Sequence, residues 1–230
     1  EIILKKIKTH KKENIAGLVG DLVDLETMFA FKMLFKHSIG SQNIEFRSKK
    51  IYINPSERIN YIFNSSINGI EESDLIVLVG TNPRLEASII NARIRKSFLK
   101  NKIKILSIGN PGNLSYPYEY LGSDVSVIQK IISNNHELSS DIKKSKRPLF
   151  IIGQSALIEK KGEYIFESIK NYLCKNNFIN EKWNALNVLN QNASHVGALD
   201  LGMYSIDEKN NYVFFDKLKN NNFKVLYLLG

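Results

Sequence analysis

LIVLVGTNPRLEASIINARIRK, residues Leu75–Lys96, decides the fold. Leu75–Val79 is a continuous apolar run, the pattern of a parallel strand covered on both faces. Gly80-Thr81-Asn82-Pro83 then predicts a tight turn. Gly80 carries no Cβ at the strand's carboxyl end, and Pro83 suits the first turn of a helix, where its missing N–H costs nothing. Ala87, Ile90, Ile94 and Phe98 recur at helical spacing on one face of the helix that follows, with Arg93, Lys96 and Lys100 on another. Doubly wound sheets bind ligands at turns placed like this one. Gly80, Thr81, Asn82, Pro83 and Arg84 are therefore the loop where a ligand would sit, but no cofactor-binding residue is expected in this chain, and the loop counts at most as a vestigial site.

Working outward, apolar runs that end in glycine recur at Ile15–Gly20, Lys104–Gly109, Pro148–Gly153 and Lys224–Gly230. Helical patterns follow most of them, at Asp24–Lys36 with Asp24 as N-cap, Ser88–Lys100, Asp124–Ile132 and Gly162–Lys175. Strands alternating with helices predict an α/β, doubly wound, largely parallel sheet, with Gly80, Gly109 and Gly153 near one edge. Residues 1–230 are read as part of one such domain. The wide interval 44–68 holds either a second small sheet or an irregular excursion. The polar stretch Asn134–Lys146 is a loop or short helix. The chain begins without Met and stops inside an apolar run, so a slice of a longer or split subunit is expected.

Hydrophobic content of 43% and charged content of 24% describe an ordinary folded protein. No run reaches the roughly 20 apolar residues of a membrane span, so direct membrane insertion is not expected. The net charge of +9 comes from short groups such as Lys5-Lys6 and Lys143-Lys144. Aromatic residues do not interleave with them as a nucleic-acid platform requires. Lys, Asn and Ile are abundant together, which points to AT-rich codons as the source of the basicity.

Familiar catalytic patterns are missing. Cys174 is the single cysteine, read as a half-buried structural thiol, and His10, His37, His136 and His195 have no metal-ligand spacing. Gly17 and Gly20 do not make a dinucleotide fingerprint, and no G-x-x-x-x-G-K-[ST] loop occurs. Gly153-Gln154-Ser155-Ala156-Leu157 resembles a nucleophile elbow, but Leu157 replaces the second glycine. Ser194 and His195 are adjacent, which rarely orients a nucleophile on its base. Asp200 reads as a turn or cap residue. No catalytic residue and no metal ligand is assigned.

In chain order, Gly69–Asp74 (GIEESD), Leu78–Lys96, Leu121-Gly122, Lys146-Arg147-Pro148 and Ile151-Ile152-Gly153 form a series. Ser155-Ala156-Leu157 with Gly162, Trp183–Leu189 (WNALNVL) and Ala193–Gly202 (ASHVGALDLG) complete it. With these residues in view, the chain strongly resembles the carboxyl-terminal part of the largest iron–sulfur subunit of respiratory complex I, the NADH-ubiquinone oxidoreductase 75 kDa subunit family. The resemblance implies a fold related to molybdopterin oxidoreductases, whose strand-end loops hold the nucleotide arms of a pterin. In the complex I branch that cofactor is generally absent. Here Leu85-Glu86-Ala87 follows the loop in place of the His-Pro pair common in the enzymes.

The resemblance further implies a scaffold in the peripheral arm. It would pack on other peripheral-arm subunits and on the iron–sulfur-bearing amino-terminal part of the same subunit, where the clusters are expected, outside this chain. Arg84, Arg93 and Arg95 would make structural ion pairs or caps. The implied location is the matrix side of the mitochondrial inner membrane, or the cytoplasmic face of a bacterial one. A working pterin- or nucleotide-binding oxidoreductase domain, using Gly80–Arg84 and Gly109-Asn110-Pro111-Gly112, is the alternative, because helix N-termini there could bind phosphate.

Overall fold

A computed structural model describes residues 1–46, 51–158, 161–204 and 213–230. In chain order its main elements begin with α1 (Ile2–Thr9), β1 (Ile15–Val19), α2 (Leu25–Met33) and β2 (Ile44–Glu45). Next come α3 (Ser66–Glu72), β3 (Leu75–Val79), α4 (Pro83–Glu86), α5 (Ser88–Asn101), β4 (Lys104–Ile108) and β5 (Glu119–Gly122). They are followed by α6 (Val125–Ile132), α7 (Ser139–Lys144), β6 (Pro148–Gly153), α8 (Gln154–Leu157), α9 (Gly162–Lys175) and β7 (Leu186–Leu189). Then come α10 (Ser194–Asp200), α11 (Phe214–Lys219) and β8 (Val225–Leu229). The chain divides into two units, one of residues 50–191 and one of residues 1–49 with 192–230.

The 50–191 unit is built on a five-stranded parallel sheet in the order β5-β4-β3-β6-β7. Every residue of β3 and of β6 is buried, so both faces need cover. Helix α3 packs on α5, and α6 on α9. From these helices Ile70, Ile94, Ile128, Ile131, Ile165 and Ile169 enter one core with Leu75–Val79 and Leu149–Ile152. The chain leaves β3 towards β4 and β6 towards β7, on opposite sides of the adjacent pair β3 and β6. Their carboxyl ends therefore form the topological switch point, where a crevice is expected.

The other unit carries a three-stranded parallel sheet, β2-β1-β8. β1 matches β8 along its whole length, from Ile15 opposite Val225 to Val19 opposite Leu229. Phe31 and Phe35 of α2 and its continuation stack with Tyr227, at ring distances of 5.3 and 6.3 Å. Asp24 caps α2 as expected, accepting from the backbone N–H and hydroxyl of Thr27, both at 2.8 Å. Past Met33 the helix widens into a π-helical turn, Leu34–Ile39, ending at Gly40.

Three expectations need correction. The five glycine-ended runs are all strands, but they occupy two sheets, because β1 and β8 satisfy each other's backbone over their full length. The helix after Pro83 breaks at Ala87 (φ −154°, ψ 73°), which closes α4 with its N–H on the Pro83 carbonyl and opens α5 with its own carbonyl. Cys174 is exposed, because Ile165, Ile169, Tyr172 and Leu173 take the buried face of α9. In the 44–68 interval, 47–50 lie outside the described residues. The segment after them runs irregularly along the β7 edge, where the Val188 N–H donates to the Ile62 carbonyl at 3.1 Å.

Candidate functional site

The carboxyl ends of β3, β4 and β6 converge. A Cβ on Gly109 would lie 3.5 Å from the Gly80 Cα, and one on Gly153 would overlap the Gly80 carbonyl and Thr81. Gly80 itself has φ +55°, and a Cβ there would stand 2.7 Å from that of Ala156. Only glycine admits both the left-handed turn and this approach. Beside it opens a cavity of about 240 Å³, whose walls include Ser123, Asp124, Ser155 and Lys161.

The candidate loop is closed on itself. Asn82 is the N-cap of α4, its side chain accepting from the Leu85 N–H at 3.2 Å. The Glu86 carboxylate reaches back to accept from the Asn82 N–H at 2.8 Å and from the Thr81 hydroxyl at 3.0 Å. This is a capping box with its carboxylate one residue later than usual. The Asn82 N–H at this helix start is therefore already bonded to an internal anion, which disfavours a phosphate beside it. Pro83 is buried at the first helical position, as expected.

The loop is also tied to its neighbour. The Asn82 amide donates to the Pro111 carbonyl at 2.5 Å, and Arg84, exposed, donates to the Asn113 carbonyl at 3.2 Å. Thus the two loops of the ligand-binding alternative hold each other. Among the three arginines, Arg84 bonds a loop carbonyl and Arg93 pairs with Glu71. Arg95, expected to pair or cap, makes no ion pair among the described residues.

Charge in the cavity wall is mixed. Asp124 caps α6, accepting from the Ser126 N–H at 2.7 Å. Those Ser126 hydrogen bonds, with Lys161 and Lys130 nearby, hold the Asp124 carboxyl below the usual carboxylate range. An ionised carboxylate in the wall opposes a second anion. The Ser155 hydroxyl donates to the Gly80 carbonyl, so it carries no activating base.

In the discontinuous unit, His195 lies within α10 and is buried. Its Nε2 is 3.0 Å from Asp21 Oδ1, and its ring meets Phe46 edge-on at 5.3 Å. The Ser194 hydroxyl donates to the Asp21 carbonyl at 2.6 Å and does not face the imidazole. The pair thus tethers α10 to the loop after β1, a larger role than the loop or cap expected for it. Asp200 ends α10. Among the described residues no three His, Cys, Asp or Glu side chains gather as metal ligands.

Glu86 is the site residue that the sequence reading passed over. Its signal is a carboxylate four residues after an Asn–Pro helix start. Asp124 was legible only as the start of a helix and Lys161 not at all; neither was legible as a wall of one cavity.

A parallel sheet with its crevice at a glycine-lined switch point defines a ligand-binding α/β class. A family model of molybdopterin oxidoreductases matches residues 1–230, and the chain belongs to that family. The NADH-ubiquinone oxidoreductase 75 kDa subunit of Reclinomonas americana is 37% identical over 99% of this chain and 34% of its own length. The mitochondrial NADH dehydrogenase [ubiquinone] iron-sulfur protein 1 of Solanum tuberosum is 36% identical over 90% of this chain and 28% of its own. An NADH-quinone oxidoreductase subunit of Rickettsia prowazekii is 34% identical over 99% of this chain and 32% of its own. The chain spans about a third of the length of these relatives.

A pterin nucleotide would bring phosphates to the Gly80–Arg84 turn. The residues present fit it poorly, since Glu86 holds the Asn82 amide of the turn and Asp124 puts a carboxylate beside Lys161 in the cavity wall.

Proposed function

We propose that this chain is a scaffold segment of the largest iron–sulfur subunit of respiratory complex I and carries no redox centre of its own. Relatives bearing that subunit's names, similar over nearly the whole chain, support the assignment. The observation that carries the silent role is the Glu86 carboxylate bonded into the loop that would hold a cofactor. The clusters then belong to another part of the subunit, on which this chain packs together with neighbouring peripheral-arm subunits. No helix among the described residues is long and apolar enough to cross a membrane. The proposed location is the matrix side of the mitochondrial inner membrane, or the equivalent bacterial cytoplasmic face.

The test uses intact complex carrying Arg84→Ala. Arg84 is exposed and makes one hydrogen bond, so its loss costs less than about 0.5 kcal/mol. NADH:quinone turnover, normalised to complex content, should stay at the parent value. A large fall in normalised turnover with assembly intact would return the loop to ligand chemistry. So would a pterin nucleotide with molybdenum or tungsten co-purifying with the subunit.

A further inference from the structure

Helix α5 has a second face that the core does not use. Ile94 and Ser97 turn inward, while Ile89 is 68% exposed and Leu99 54% exposed. Ala92 lies between them at helical spacing, and the three span about 15 Å of helix. Ala92 and Leu99, with the stems of Arg95, Lys96 and Lys100, line a shallow and mostly apolar groove of about 500 Å³. The small Ala92 leaves a hole there, and aliphatic stems extend its walls.

Charge specifies the occupant. Helix α5 contains no carboxylate at all. Lys96 shares Glu71 with Arg93, but Arg95 and Lys100 have no acidic partner among the described residues. An apolar stripe edged by unpaired cations suits a surface that is apolar at its centre and acidic at its flanks.

We propose that this face of α5 docks an amphipathic helix of a neighbouring subunit, with an apolar side chain over Ala92 and carboxylates beside Arg95 and Lys100. The proposal rests on the complex I reading and adds the surface and the chemistry of what covers it.

Intact complex is treated with a carbodiimide, which joins a lysine amine only to a carboxylate already in contact. Lys96 or Lys100 should cross-link to an Asp or Glu of another subunit. Lys100→Arg should keep assembly and lose the cross-link at that position. Ala92→Glu introduces a good helix former at an exposed site, so folding is kept while bulk and negative charge enter the groove. Complex content should fall about tenfold, with the urea midpoint of the subunit unchanged. Normal assembly of Ala92→Glu, or cross-links confined to this chain, would overturn the docking surface and leave the scaffold reading standing. Cross-links between two copies of this chain would overturn it in favour of self-association. A subunit absent from complex I would overturn both.

Discussion

Replacing Glu86 by alanine should loosen the turn that defines the candidate site. Two hydrogen bonds are lost, from the Asn82 N–H at 2.8 Å and the Thr81 hydroxyl at 3.0 Å. Asn82 is half-buried, so water can replace the carboxylate there, and the loss resembles that of a helix cap, about 1 kcal/mol. Thr81 is only 6% exposed, so its stranded hydroxyl adds about 1–2 kcal/mol. The total of about 2–3 kcal/mol corresponds to a melting point lower by roughly 5–10 °C for a unit of this size. Trp183, the single tryptophan, lies in the same unit and is buried, so its fluorescence in urea reads this unit alone. Glu86→Gln keeps an acceptor and should cost less than Glu86→Ala. A double-mutant cycle with Thr81→Val should give a coupling of at least about 0.5 kcal/mol. Unfolding of Glu86→Ala at the parent midpoint, or strict additivity in that cycle, would refute the self-capped turn.

Gly153→Ala should cost about 3 kcal/mol, because its Cβ has no space beside the Gly80 carbonyl and Thr81; the Trp183 transition measures it. Asn187 is fully buried, accepts from the Ser65 N–H at 2.9 Å and donates to the Phe150 carbonyl at 3.3 Å. Asn187→Leu should therefore cost about 2–4 kcal/mol and speed hydrogen exchange at the Ser65 amide. Asp74 accepts from Ser145 and from the backbone N–H groups of Lys146 and Arg147; partial burial pushes its carboxyl up, but these bonds prevail and hold it below the usual value. A lowered folded-state value means stability that is present above about pH 4 and lost as the pH falls further. Asp74→Asn should flatten that acid limb in urea midpoints measured against pH.

The strands that carry the 50–191 unit were legible because β3, β4 and β6 are buried runs stopped by glycine. Helix α9 was legible because its apolar positions keep a clean 3.6-residue period. β5 and β7 were not, since Glu119–Gly122 has no buried residue and opens on a glutamate, and Leu186–Leu189 contains the buried Asn187. The partition of strands into two sheets depends on which backbone edges meet over long separations, and hydropathy does not record that. At the site, the turn and its proline were visible from local chemistry. The closure by Glu86 was not, because a carboxylate at that spacing reads as ordinary first-turn solvation until the backbone folds beneath it.

The pairing of β1 with β8 also has a cost in time. Ile15 must meet Val225, and roughly 200 residues separate them. At ribosomal speeds of about 5–20 residues per second, β1 waits some 10–40 s for its partner strand to be made. During that wait Ile15, Ala16, Val19, Phe31 and Phe35 cannot complete the packing they have in the finished unit. Residues 50–191 form a continuous stretch and can close their own sheet meanwhile. Nascent chains should thus carry a sticky stretch around residues 15–35 ahead of an already folded body, and it is that stretch which a chaperone would need to hold.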